Sequence, residues 1–109
     1  MPSLSLVFAG SPAAAVPSLR LLAESVHRVR AVVTREDSPQ GRRGVVTETP
    51  VAAEAATLGI PVIKANRLAG AATEAVAELA PDLGVIVAYG GLVREPLLST
   101  PRLGWINLH

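Results

Sequence analysis

The chain contains no cysteine, which excludes disulfides, thiolate-bound metals and a thiol nucleophile, and leaves no sign of an oxidising compartment. Its two histidines are too few for a metal site, and none is expected. No run approaches the ~18 apolar residues that span a bilayer. The net charge is only +1, so no global excess points to nucleic acid, and any basic patch has to be argued locally. Residues 1–19 carry no charged side chain, yet a secretory signal fits them poorly. They have no basic n-region, and Gly10-Ser11-Pro12 interrupts the apolar stretch. A cytoplasmic chain without a membrane segment is expected.

What the chain has in quantity is apolar surface. Half of its 109 residues are hydrophobic, at or above the ~45–50% that a whole soluble domain reaches with glycine counted. That length makes one domain at most, with apolar surface left for a partner to cover.

The apolar residues fall into a pattern. Leu4 to Ala9 reads as a buried strand, followed by Gly10-Ser11-Pro12 with Ser11 placed to cap a helix and Pro12 to open it. Val16, Leu19, Leu22 and Val26 recur at helical spacing, with Pro17 expected to bend the helix or delay its start. Arg28 to Thr34 is a second strand, and Arg35 to Glu48 a long polar loop. Thr49-Pro50 opens a second helix that Gly59 closes. Pro61 to Ile63 is a third strand, and Leu68, Ala72, Val76 and Leu79 mark a third helix. Asp82 to Ala88 is a fourth strand, apolar enough to be covered on both faces. A brief helix around Val93 to Leu98 leads to a fifth strand ending in Asn107 and His109. Strands alternating with helices predict a parallel, doubly wound Rossmann-like α/β sheet with right-handed crossovers. His27 and Asp82 fall at the far ends of their strands and read as surface and turn residues.

Such sheets bind ligands beyond the carboxyl ends of their strands, where the winding reverses. With the first strand central and the fourth beside it, Gly10, Tyr89-Gly90 and the Asn107/His109 pair converge. Residues two apart on a strand share a face, so an amide and an imidazole lie on one surface. A bare Asn-x-His reads more readily as a strand tip fraying into a loop. A dinucleotide site is disfavoured, because FAGSPAAA lacks the required glycine spacing and no phosphate loop with its lysine occurs. Between Arg28 and Arg43, five arginines face Glu36 and Asp37. That local excess suits phosphate contact, and equally a solvated loop.

The motifs VFAGSP, AVPSL, TREDSPQGRRG, GIPV, APDLGVIVAYG and LGWINLH, in this order, closely resemble the amino-terminal part of the methionyl-tRNA formyltransferases, within the wider folate-dependent formyltransferase family. VAYG followed by INLH is the most specific part, and the resemblance covers essentially the whole chain. It implies transfer of a formyl group from 10-formyltetrahydrofolate to the α-amino group of methionyl initiator tRNA. It implies Asn107 and His109 as catalytic residues, Val87, Ala88, Tyr89, Gly90 and Leu92 around the folate, and Arg42, Arg43 and more weakly Arg35 against tRNA. It also implies a later aspartate, absent from this sequence, that tunes His109.

On that resemblance, residues 1–109 are the first part of a catalytic domain cut after its fifth strand, with no second domain. The fragment is expected to be inactive and to self-associate, and the full-length protein to be a monomer. The alternatives are a formyltransferase acting on an amino sugar nucleotide and a non-catalytic folate-binding fragment.

Overall fold

The first strand, β1 (Ser5–Gly10), is the centre of the computed structural model, which describes residues 3–67, 69–90 and 93–108. Leu6, Val7, Phe8 and Ala9 are each at most 2% exposed, which requires cover on both faces of the strand. The flanking strands are β2 (Arg28–Thr34) and β6 (Leu83–Val87), with β5 (Val62–Lys64) and β7 (Trp105–Leu108) at the edges. The five pair in the order β5-β2-β1-β6-β7, all parallel. The expected doubly wound sheet is therefore present, with the winding reversing between β1 and β6.

Alternation along the strands divides the core in two. Phe8, Val32 and Val85 face α1 (Val16–Glu24) and α2 (Pro50–Leu58), meeting Leu19, Val51 and Ala55. Val7, Ala9 and Val33 face α3 (Ala71–Leu79), meeting Val76, the Tyr89 ring and Leu97. Each fully buried side chain of this size contributes ~1.5–3 kcal/mol, so these two layers dominate the stability of the sheet. No helix among the described residues is long and apolar enough to cross a membrane.

The amino end of β1 is closed by side chains. Leu4 N–H donates to His27 Nδ1 at 3.0 Å and Ser5 N–H to Asp82 Oδ2 at 2.8 Å. The Ser5 N–H, and after it the Arg102 guanidinium, hold the Asp82 carboxyl below the usual carboxylate range. His27 and Asp82 thus have more than the surface and turn roles expected of them.

Local chemistry accounts for α2 in full. Thr49 Oγ1 accepts from Ala52 N–H at 3.1 Å, Pro50 takes the first helical position, and Gly59 closes the helix at φ +73°. Elsewhere the structure corrects the sequence reading. Ser11 caps no helix: a 3-10 turn (Ala13–Ala15) follows Pro12, and α1 starts at Val16 with Pro17 in its first turn, without a side-chain cap. Val26 lies beyond α1 and is 68% exposed. The expected helix before the last strand is a single 3-10 turn (Leu97–Ser99). The polar stretch after β2 is not loop throughout, for β3 (Ser38–Gln40) and β4 (Val45–Thr47) form an antiparallel hairpin outside the main sheet. Leu68 lies outside the described residues.

Edge strand β7 is keyed to β6 by one missing side chain. A Cβ on Gly84 would stand 2.2 Å from the Trp105 ring, and the indole Nε1 donates to Leu97 O at 3.1 Å. Trp105 is the single tryptophan of the chain, so the emission comes from this ring alone and reports its surroundings, the Gly84 contact among them. Gly84→Ala is expected to cost ~1–3 kcal/mol by overpacking, read as a lower urea midpoint together with a shifted tryptophan emission. An unshifted emission at parental stability would mean that the ring does not lie on Gly84 in solution.

Candidate functional site

β1 and β6 end level with each other, Gly10 opposite Val87, and no side chain separates them. A Cβ on Gly10 would be 2.6 Å from the Val87 carbonyl oxygen. The next residue uses that closeness. Ser11 is 8% exposed, and its hydroxyl donates to Tyr89 O at 3.1 Å while accepting from Arg35 N–H at 3.2 Å. Thr34 Oγ1 donates to it at 3.4 Å and lies 2.6 Å from Thr49 Oγ1.

Each hydroxyl has a single proton, which fixes the direction of the chain. Thr49 accepts from Ala52 N–H and donates to Thr34, Thr34 donates to Ser11, and Ser11 donates to the Tyr89 carbonyl. Val51 N–H, in the first turn of α2, also donates to Ser11 O at 3.2 Å. Three strand tips and one helix start are thereby tied at one point.

The turn after β6 is strained. Ala88 lies at φ +53° and Gly90 at φ +92°. The Tyr89 ring turns into the core at 1% exposure, and its hydroxyl donates to Ala65 O. Burial pushes that hydroxyl above its usual pKa, with Arg35 opposing the shift. Arg35 Nη1 donates to Gly90 O at 3.1 Å. Tyr89 therefore has chiefly main chain to offer a ligand, flanked by the exposed Ala88 and Gly90.

The β3–β4 hairpin stands beside these tips. Gly41 and Gly44, at φ +71° and +61°, bracket the turn that displays Arg42 and Arg43 to solvent. At its base, Lys64 Nζ is 2.8 Å from Asp37 Oδ1 and 3.7 Å from Glu48 Oε2. The hydrogen bond to Asp37 leads in holding this ammonium above the usual lysine range.

Hairpin, tips and α2 enclose a cleft of about 640 Å³ lined by Ser11, Pro12, Ala13, Arg35, Ser38, Gln40, Thr47, Glu48, Thr49, Pro50 and Ala88 to Gly90. Of the residues singled out from sequence, Arg35, Ala88, Tyr89 and Gly90 meet here. Val87 packs against the Phe8 side of the core. Arg42 and Arg43 stand in the hairpin turn, outside the lining. Asn107 is exposed on β7, level with Ile86, and does not line the cleft. Leu92 and His109 lie outside the described residues. Sequence reasoning missed Thr34, Thr49, Gln40 and Thr47 as site residues; the legible signal was a hydroxyl residue at or just past the end of β1 and of β2.

Residues 4–109 match the family described as formyl transferase. The chain belongs to the formyl transferase family. It is 64% identical over 106 residues to the methionyl-tRNA formyltransferase of Clavibacter sepedonicus and 60% identical to that of Leifsonia xyli subsp. xyli. Both alignments take in 97% of this chain and 35% of the relative, so the chain spans about a third of the length of these curated relatives. A crystal structure of glycinamide ribonucleotide transformylase 1 from Geobacillus kaustophilus shares the formyltransferase fold, with a TM-score of 0.62 at 20% identity over all of this chain and 58% of that one.

The Ser11 hydroxyl carries the junction, and its removal would leave a buried carbonyl and a backbone N–H short of a partner. Ser11→Ala is expected to lower stability by ~1–3 kcal/mol, measured by urea denaturation. The exposed Ser99→Ala should stay within ~0.5 kcal/mol of the parent. Equal midpoints for the two variants would remove Ser11 from its structural role.

Proposed function

We propose that the complete protein carrying this sequence transfers a formyl group from 10-formyltetrahydrofolate to the α-amino group of methionine esterified to initiator tRNA. The observation that carries this reading is the form of the hairpin. Gln40 and Thr47 line the cleft, while Arg42 and Arg43 continue the same wall into solvent as an exposed basic tip. A cleft wall that runs on into a basic projection suits an acceptor whose end enters the cleft and whose phosphates remain outside. A small sugar nucleotide would leave that tip unused. The identities with enzymes named methionyl-tRNA formyltransferase support the same acceptor. The reaction belongs to the cytoplasm, where aminoacylated tRNA is found.

In the proposed chemistry the neutral amine attacks the formyl carbon, the carbonyl becomes an oxyanion, and collapse expels the folate nitrogen. Asn107 donates its amide N–H to that oxyanion, and His109 carries the proton from the attacking amine to the departing nitrogen. The turn around Ala88 to Gly90, with Val87 as an apolar neighbour, receives the folate through main-chain groups. Arg35, tied to Gly90 O, stands between this turn and the hairpin.

Two measurements on the complete protein test the reading. Asn107→Ala is expected to lower kcat by ~100-fold or more with little change in donor affinity, because the oxyanion exists only along the reaction path. Near-normal turnover would sink that assignment. Reversing the charge of Arg42 and Arg43 should weaken use of tRNA and flatten its dependence on salt, since fewer counterions are released. Parallel salt slopes for variant and parent would mean that the hairpin does not touch phosphate.

A further inference from the structure

Residues 39–47 of the hairpin are all exposed, and Ser38 is only half-buried. Apolar burial therefore does not set the angle at which the hairpin leaves the sheet, and the polar contacts at its base must. Glu36 N–H donates to Asn66 Oδ1 at 2.9 Å, and Asn66 Nδ2 donates back to Glu36 Oε2 at 3.2 Å. The Lys64 ammonium lies between Asp37, immediately before β3, and Glu48, immediately after β4. One charge thus holds both legs of the hairpin. Lys64 is itself the last residue of β5, paired with Thr34 of β2, so the anchor belongs to the main sheet. It does not line the cleft.

Resting on the function proposed above, we infer that Lys64 is a positioning residue for the acceptor. By bridging Asp37 and Glu48 it holds the hairpin as a wall of the cleft, and so sets where Arg42 and Arg43 meet tRNA. Ion pairs this exposed, with side chains 39–44% accessible, add little to global stability. The wall has no apolar anchor to overcome, so a small bias is enough to shift its population between held and splayed positions.

The test uses the complete protein with Lys64→Met, Lys64→Arg, Asp37→Asn and the double variant Lys64→Met/Asp37→Asn. Two quantities are read: the rate of limited tryptic cleavage after Arg42 and Arg43, and KM and kcat with methionyl-tRNA. Lys64→Met and Asp37→Asn are each expected to speed cleavage several-fold and to raise KM for tRNA several-fold. Values of kcat, KM for the folate donor and the thermal midpoint should stay near the parent. Lys64→Arg should keep parental behaviour, and the double variant should add little to Lys64→Met. Unchanged cleavage in Lys64→Met would overturn the inference, as would loss of function in Lys64→Arg equal to that in Lys64→Met. A fall in kcat at constant KM would overturn it too. Should Lys64→Met fail to fold, Asp37→Asn, which leaves β5 untouched, decides by the same readings. A complete protein that cannot formylate methionyl-tRNA would defeat the proposed function, while the cleavage rates would still decide whether Lys64 holds the hairpin.

Discussion

Everything at the carboxyl edge of the sheet depends on how closely β1 approaches β6 at Gly10. With the Val87 carbonyl 2.6 Å from where a Cβ would stand, no other residue fits without parting the two central strands. Because they stay together, the chain leaves β1 and β6 at the same point, and a side chain as short as serine can tie both exits. A buried hydroxyl is costly unless it is hydrogen-bonded. Ser11 meets that condition only because Tyr89 O, Arg35 N–H and Thr34 Oγ1 all come within reach. The one-way run of hydroxyl protons from Thr49 to Tyr89 then connects the start of α2 to the turn after β6.

The cleft is built from two kinds of interaction that differ in strength. Its floor rests on residues of the two core layers, each contributing ~1.5–3 kcal/mol by burial. Its outer wall, the hairpin, rests on exposed ion pairs and an amide–carboxylate exchange, of which an exposed pair contributes ~0–1 kcal/mol. Stiffness therefore falls from the strand tips outward. In the reaction proposed above, the floor would serve chemistry that depends on placement within fractions of an ångström, and the wall would serve contact with the acceptor.

Much of the sheet was legible because the central strands announce themselves. β1 and β6 are apolar on both faces, which a parallel strand covered on both sides requires. Helix α2 was legible down to its caps, since Thr49, Pro50 and Gly59 act through bonds a few residues away. Ser11 was not, although its Ser-Pro setting looks like a helix start. The same local pattern serves a long-range tie, and its partners Thr34 and Tyr89 lie 23 and 78 residues away in sequence. The hairpin was illegible for a related reason. Its strands have no buried face to impose alternation, and what fixes them is two glycines of positive φ and the one charge contributed by β5. Tyr89 was placed correctly in the chain, but nothing local says that its ring goes into the core and leaves main chain at the cleft.

That placement of Tyr89 explains how a non-glycine residue persists at φ +53° beside it. The left-handed region costs an alanine ~1–2 kcal/mol, and such strain survives only where the surroundings over-determine it. Here they do so from both sides. The Tyr89 ring and its hydroxyl hold the turn from the core, while Ser11 and Arg35 hold its carbonyls from the cleft. Asn107, level with Ile86, is two residues short of Ala88 along the sheet, or ~7 Å at the usual strand rise. That separation exceeds the reach of an asparagine side chain, so a ligand seated against main chain at Ala88 meets the Asn107 amide only by extending along the sheet toward β7. The register between β6 and β7, keyed by Trp105 over Gly84, is what sets the distance between the strained turn and Asn107.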